Sequence, residues 1–263
     1  MAQFLLRGEP IGAADQSIRA VLFDKDGTLS ISEPMLHALA EARVFHCDRL
    51  LAERHPELTV AGRTELDDLL RRAYGLGPDG VNPAGTTAVA TRLHNLISTA
   101  TALAQVGLGW PEALALSEAV FEATDGLHGT GSIHKPMATE GLHDLVERLA
   151  EAGVHCAVIS NDDVAGIEAF LASQGLAQHF QACWSAEHTP RKPNPAAVHA
   201  LCQDLGVRAG ECALIGDANS DLRMARAAGV PVVLGYTAAW RLKPPLDSSF
   251  PQLHHWNELS LRD

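Results

Sequence analysis

Short apolar runs alternate with segments of helical periodicity along most of this 263-residue chain. The apolar runs lie at residues 20–23, 155–159, 212–215 and 230–234, with a weaker one at 182–184. The helical segments lie at 140–152, 163–174, 195–205 and 221–228, and a glycine that can end a helix follows each: Gly153, Gly175, Gly206 and Gly229. The alternation predicts an α/β core, a doubly wound parallel sheet with helices on both faces.

A long segment between the first two runs breaks this alternation. Residues 33–126 carry helical patterns and no strand signal, and the expected helices are 34–54, 64–74, 86–105 and 111–121. Such a segment is too long to be a simple crossover between neighbouring strands. We therefore predict an α/β core domain formed by residues 1–32 and 127–263, and an inserted α-helical cap domain formed by residues 33–126.

The net charge argues against several classes of partner. Acidic residues outnumber basic ones by 32 to 20, which gives a formal charge of −12, and no run of Lys and Arg forms a basic patch. Nucleic acid and anionic membranes are therefore not expected partners, and an anionic substrate would need a metal ion or a few placed cations. The first twelve residues lack the features of a secretory signal, which predicts a cytoplasmic location. The sequence indicates no particular oligomeric state.

Two carboxylates follow the first apolar run directly. The residues after this run are Asp24-Lys25-Asp26-Gly27-Thr28. Residues two apart on an extended chain point the same way, so Asp24 and Asp26 can share one pocket while Lys25 faces elsewhere. Paired carboxylates at the C-terminal end of a strand suit acid–base and metal chemistry. The alternative is a polar turn, because Asp and Gly are common turn residues.

A second acidic cluster follows the run at 212–215. Asp217 and Asp221 would lie near the start of the next helix, where their oxygens could bind Mg²⁺. Several carboxylates in one cleft repel each other, and a divalent cation would remove that repulsion. The alternative is that Asp217 or Asn219 only caps the helix.

Two more polar groups follow later runs. Ser160 and Asn161 come after the run at 155–159, where a hydroxyl and backbone N–H groups could bind phosphate. The alternative is that Asp162 or Asp163 here is only a helix N-cap. Lys192 lies in a turn before a helix and could neutralise a transferring phosphoryl group, unless it is a solitary surface lysine. The tail, residues 236–263, is expected to complete the core domain and has no assigned chemistry.

With these motifs in view, residues 20–234 resemble the haloacid dehalogenase superfamily, specifically its phosphatases with a helical cap after the first motif and a Rossmann-like core. The resemblance implies that Asp24 is a nucleophile that becomes phosphorylated. It implies that Asp26 protonates the leaving alcohol and then activates water. Mg²⁺ would be held by Asp24, the backbone carbonyl of Asp26 and Asp217, with Asp221 as a further ligand or as a residue that supports these ligands from behind. The phosphoryl oxygens would be bound by Thr28, Ser160, Asn161 and Lys192.

The resemblance implies a phosphatase for a small phosphorylated metabolite, similar to phosphoglycolate phosphatases. An acid at the position of Asp26 favours phosphate-ester chemistry, because the dehalogenases of the superfamily lack it. Two alternatives remain open: a phosphomutase of the β-phosphoglucomutase type, and a non-catalytic relative that binds phosphate or Mg²⁺. Candidate cap residues for contact with the leaving group are Arg43, Arg63, Arg92, Ser98 and Thr99.

Overall fold

The computed structural model of the protein describes residues 3–12, 17–128 and 135–262. The chain divides into two compact units, one formed by Met1–Ile31 with Met137–Asp263 and the other by Ser32–Pro136. The second unit therefore ends ten residues later than the predicted cap domain, whose last residue is 126. The intervening residues 129–134 lie outside the described part of the chain.

The first unit is built around a six-stranded sheet. Its strands are β3 (Ala20–Phe23), β8 (His155–Ile159), β9 (Phe180–Trp184), β10 (Cys212–Gly216), β11 (Val232–Tyr236) and β12 (Gln252–Leu253). Their order is β12-β11-β10-β3-β8-β9, and all neighbours are parallel. The central strands β3 and β10 are buried along their whole length, as continuous apolar runs require. The predicted α/β parallel sheet is confirmed.

The helices of this unit are α6 (Leu142–Glu151), α7 (Val164–Ser173), α8 (Pro195–Asp204) and α9 (Asn219–Ala227). The four predicted terminal glycines have φ between 66° and 79°. At Gly229 this left-handed backbone is part of the end of α9, and the N–H of Val230 still donates to the carbonyl of Ala225 in that helix at 3.0 Å. Strand β11 therefore begins at Val232, two residues later than the sequence predicts.

A small antiparallel sheet was not predicted. Its strands are β1 (Gln3–Leu6), β2 (Glu9–Pro10) and β13 (Leu259–Arg262), in the order β13-β1-β2. Two further short strands, β4 (Ser30–Ile31) and β7 (Met137–Ala138), pair with each other. These strands are too short to show a period of two, and β1 pairs with a partner from the opposite end of the chain.

The second unit is mainly helical. Its helices are α1 (Glu33–Arg54), α2 (Val60–Tyr74), α3 (Thr86–Val89), α4 (Arg92–Gln105) and α5 (Trp110–Asp125). Residues 86–105 form two helices, α3 and α4, where a single helix was expected. The helices are separate because Thr91 is extended and is the N-cap of α4, with its side chain accepting the N–H of His94 at 3.3 Å. A short hairpin formed by β5 (Leu76–Gly77) and β6 (Gly80–Val81) was not predicted from the sequence. Within the described residues, no helix has both the length and the apolarity to cross a membrane.

Candidate active site

The predicted functional loops of the first unit meet at one edge of its central sheet. Strand β3 lies between β8 and β10, and Phe23 is in register with Val158 on one side and Ile215 on the other. Parallel strands in register bring their C-terminal ends to the same edge. The residues that follow these three strands are Asp24, Ser160 and Asp217.

Three of the predicted carboxylates form one buried cluster. Oxygen atoms of Asp24, Asp217 and Asp221 lie within 4.8 Å of one another, and the exposed fractions of these residues are 7%, 3% and 3%. Asp221 lies in the first turn of α9. The N-cap of α9 is Ala218, which makes no side-chain cap bond, so the capping alternative is wrong for Asp217 and Asn219.

Lys192 is the cation of this cluster. Its ammonium donates to Oδ1 of Asp24 at 2.7 Å and lies 2.8 Å from Oδ1 of Asp221. It also donates to the carbonyl of Ile159 at 3.2 Å. Lys192 is 8% exposed, so the alternative of a solitary surface lysine is wrong. Burial alone would lower the pKa of Lys192, but the charges of Asp221 and Asp24 raise it, which keeps the ammonium charged.

The cluster carries more negative charge than Lys192 can balance. Burial raises the pKa of Asp24 to about 6, although Lys192 opposes the shift, and Asp221 adds to it. Burial, with the charges of Asp24 and Asp221, raises the pKa of Asp217 well above its ordinary value. Three ionised carboxylates beside one ammonium leave two negative charges in a buried space. Oxygen ligands with this charge fit a hard divalent cation.

We expect the metal-free protein to lose stability as the pH rises. Asp24 and Asp217 have higher pKa values in the folded chain than their ordinary value of 3.8, so the folded state binds more protons above that pH. The free energy of unfolding therefore falls from about pH 4 through the folded-state pKa values. Asp217→Asn removes one of these charges. In the presence of a chelator at about pH 8, this variant should be at least ~1 kcal/mol more stable than the parent.

Urea unfolding with a chelator, from about pH 5 to about pH 8, measures this difference. Asp204→Asn is the matched control, because Asp204 ends α8 and is exposed. Its pH profile should follow that of the parent. An Asp217→Asn variant less stable than the parent at the upper end of this pH range would contradict the expected repulsion.

Two donors from distant parts of the chain hold the carboxylate of Asp217. The hydroxyl of Thr28 donates to Oδ1 at 3.4 Å, and the indole N–H of Trp240 donates to Oδ2 at 2.6 Å. Thr28 is fully buried and turned toward Asp217, and its contact with phosphate stays a prediction. Trp240, which follows the end of β11 by four residues, was not among the residues predicted for the site. Trp240 lies beyond the strand next to β10, and that adjacency is known only from the structure.

The loop after β8 contains the predicted phosphate-binding residues. The oxygen of the Ser160 hydroxyl accepts the N–H of Asp162 at 3.1 Å, and the N–H of Ser160 donates to the carbonyl of Trp184 at 2.8 Å. Ser160 is 3% exposed, and Asn161 beside it is half-buried. The N-cap of α7 is Asp163, not Asp162. Phosphate binding by Ser160 and Asn161 stays a prediction.

The turn after β3 departs from the expected extended geometry. The N–H groups of Thr28 and Ser30 both donate to the carbonyl of Lys25, at 3.3 and 2.9 Å, which folds the chain back at once. The rule that residues two apart on an extended chain point the same way therefore no longer applies beyond Asp24. The ammonium of Lys25 lies 2.8 Å from Oδ1 of Asp26, so the expectation that Lys25 faces elsewhere is wrong.

Most of the cap candidates have partners inside the helical unit. The guanidinium of Arg63 pairs with Asp48 at 2.6 Å, and that of Arg92 pairs with Asp125 at 2.5 Å. Thr99 is fully buried, so it presents no surface to a ligand. Arg43 is 5% exposed, with its guanidinium 3.9 Å from the centre of the Phe121 ring. Ser98 contributes to an open groove between α2 and α4.

Known proteins resemble this chain over most of its length. A phosphoglycolate phosphatase of Rhodospirillum rubrum is 30% identical over 222 residues, which are 82% of this chain and 78% of that protein. A phosphoglycolate phosphatase of Pseudomonas putida is 28% identical over 240 residues, 89% of this chain and 75% of that protein.

Solved structures share the fold. A HAD-superfamily hydrolase of subfamily IA from Geobacter sulfurreducens has a TM-score of 0.55 at 21% identity, over 94% of this chain and 97% of its own. A HAD family hydrolase from Deinococcus radiodurans, solved with bound phosphate and sodium, has a TM-score of 0.55 at 24% identity, over 93% of this chain and 94% of its own. The family model described as haloacid dehalogenase-like hydrolase matches residues 18–229. The predicted resemblance is thereby confirmed: this chain belongs to the haloacid dehalogenase-like hydrolase family.

Proposed function

We propose that the protein is a Mg²⁺-dependent phosphatase that hydrolyses a small phosphorylated metabolite through a phosphorylated Asp24. The observation that carries the proposal is the buried cluster of Asp24, Asp217 and Asp221 with Lys192 bonded to Asp24 at 2.7 Å. The relatives named phosphoglycolate phosphatase support a phosphoglycolate-like ester as the substrate, and a sugar phosphate is the other candidate.

The reaction divides into two phosphoryl transfers. First, a carboxylate oxygen of Asp24 attacks phosphorus while the bond from phosphorus to the leaving oxygen breaks, and Asp26 donates its proton to that oxygen. An alcohol leaves. A water molecule then attacks phosphorus, Asp26 takes a proton from this water, and the bond to Asp24 breaks. The products are the alcohol and inorganic phosphate, and both aspartates return to their starting states.

The carboxylate cluster fits a metal ion because its oxygens are close together, buried and more negative than Lys192 can balance. Asp24, Asp217, Asp221 and the backbone carbonyl of Asp26 would hold Mg²⁺. When bound, Mg²⁺ supplies positive charge that stabilises the oxygens of the transferring phosphoryl group.

Other residues prepare Asp24 and the ester for reaction. The ammonium of Lys192 favours the ionised form of Asp24, which is the form able to attack phosphorus. Ser160 and Asn161 would bind phosphoryl oxygens, since they lie on the strand end next to that of Asp24. Thr28 and Trp240 keep the carboxylate of Asp217 in place.

Removal of the metal should slow turnover strongly. We expect protein treated with a chelator to hydrolyse p-nitrophenyl phosphate at least about a hundredfold more slowly than protein with Mg²⁺ restored, since a metal contributes several kcal/mol to transition-state charge stabilisation. Release of p-nitrophenol measures the rate. A panel of phosphorylated metabolites, with phosphoglycolate and sugar phosphates among them, then identifies the substrate class.

Two outcomes would contradict the proposal. One is an inactive parent protein at every Mg²⁺ concentration, which would favour a non-catalytic relative. The other is activity on a sugar phosphate that requires a sugar bisphosphate as activator, which would favour a phosphomutase. Magnesium-dependent release of inorganic phosphate without an activator supports the phosphatase.

A further inference from the structure

Lys25 is a buried cation with no role in the reaction as written above. It is 3% exposed, and its ammonium lies 2.8 Å from Oδ1 of Asp26 and 3.0 Å from Oδ2 of Asp162. The ring of Phe170 in α7 lies beneath it, with the ring centre 5.8 Å from Nζ. Burying an ammonium is costly unless carboxylates compensate it. The structure provides two carboxylates, and one of them is the proposed general acid.

The two carboxylates come from two different loops of the site. Asp26 lies in the turn after β3, and Asp162 lies in the loop after β8, where its N–H donates to the hydroxyl oxygen of Ser160. Helix α7 leaves space for this arrangement, because a Cβ at Gly166 would overlap Oδ2 of Asp162. Lys25 therefore joins the loop of the proposed acid to the loop of the proposed phosphate-binding residues.

The carboxylate of Asp26 is held firmly by these contacts. Its Oδ1 receives the ammonium of Lys25 at 2.8 Å and the hydroxyl of Ser30 at 3.3 Å. Two donors on one oxygen restrict rotation of the carboxylate. Lys25 is itself anchored on its other side by Asp162, so the position of Asp26 depends on both members of that pair.

We infer that Lys25, anchored by Asp162, is a positioning residue that holds the Asp26 carboxyl group by its Oδ1, so that Oδ2 carries the proton to the leaving oxygen of the bound ester. The inference rests on the proposed function, in which Asp26 protonates that oxygen. A general acid contributes about 10²- to 10⁴-fold, and a displaced one loses part of this. The loss is large for a basic leaving group, which must be protonated, and small for one that departs as a stable anion.

The test compares two aryl phosphates at saturating Mg²⁺. Lys25→Met should lower kcat/KM for phenyl phosphate at least about tenfold, and kcat/KM for dinitrophenyl phosphate by less than about threefold. This parameter reports the steps up to transfer of the phosphoryl group to Asp24. Asp26→Asn should show the same dependence on the leaving group with a larger loss. Lys243→Met is the matched control, because Lys243 is exposed, and it should leave both rates unchanged.

Equal losses on both esters, or no loss on phenyl phosphate, would overturn the role of Lys25 while leaving the proposed function intact. A parent protein that hydrolyses neither ester with Mg²⁺ would overturn the proposed function and this inference together. If thermal unfolding shows that Lys25→Met is not folded, Asp162→Asn takes its place. That variant keeps the contact between Lys25 and Asp26 and should give a smaller loss, again confined to phenyl phosphate.

Discussion

Replacing Asp24 by asparagine should lower kcat/KM for phosphate-ester hydrolysis at least about a thousandfold at saturating Mg²⁺. The amide oxygen of asparagine can still accept the hydrogen bond from Lys192, so the site keeps its shape. The variant has no carboxylate to attack phosphorus. Steady-state hydrolysis of p-nitrophenyl phosphate measures the loss. Intact mass after acid quenching should find a phosphoryl group on the parent and none on the variant.

Stability separates this loss of chemistry from a loss of folding. Burial raises the pKa of Asp24 to about 6, so the ionised carboxylate is unfavourable in the metal-free protein. In the presence of a chelator, Asp24→Asn should therefore unfold at a temperature at least as high as the parent does. Asp204→Asn, at the exposed end of α8, should keep the activity of the parent. Full metal-dependent turnover in Asp24→Asn would contradict the role of Asp24 as nucleophile.

The residues that meet in the cluster could be predicted because one topological rule brings them together. Asp24 and Asp217 each follow an apolar run, and parallel strands in register place such residues at one edge of the sheet. Asp221 lies in the first turn of α9, which begins two residues after Asp217, so both carboxylates lie at the end of the same strand. The weak run at 182–184 shows the limit of the rule: β9 begins at Phe180, where partly exposed residues weaken the apolar signal.

The contacts that the sequence analysis missed depend on turns and on pairing between distant segments. Lys25 reaches Asp26 because the chain turns back immediately after β3. The prediction that Lys25 faces elsewhere assumes an extended chain. Trp240 reaches Asp217 from the tail, and no spacing in the sequence relates these two residues. Strands β1 and β13 pair across almost the whole chain. Local periodicity contains no information about such partners.

The turn after β3 passes so close to Asp217 that it leaves no space for a side chain, and the residue at this point is Gly27. Gly27 has a φ of 82°, a backbone conformation that disfavours a side chain. A Cβ at this position would overlap Oδ2 of Asp217 and Nε1 of Trp240, the two atoms joined by the 2.6 Å hydrogen bond. Alanine at position 27 would therefore have to move the Asp217 carboxylate away from Asp24 and Asp221.

Gly27→Ala should lower kcat/KM at least about a hundredfold, because a displacement of about 1 Å in a catalytic site has an effect of that size. It should also raise the Mg²⁺ concentration needed for half-maximal activity. Gly8→Ala is the matched control: Gly8 has a φ of 84°, and a Cβ there meets nothing within 4 Å. Both variants carry similar backbone strain, roughly 1–2 kcal/mol in the free energy of unfolding, but only the first disturbs Asp217. Equal activities in the two variants would show that the cluster does not depend on the close approach of Gly27.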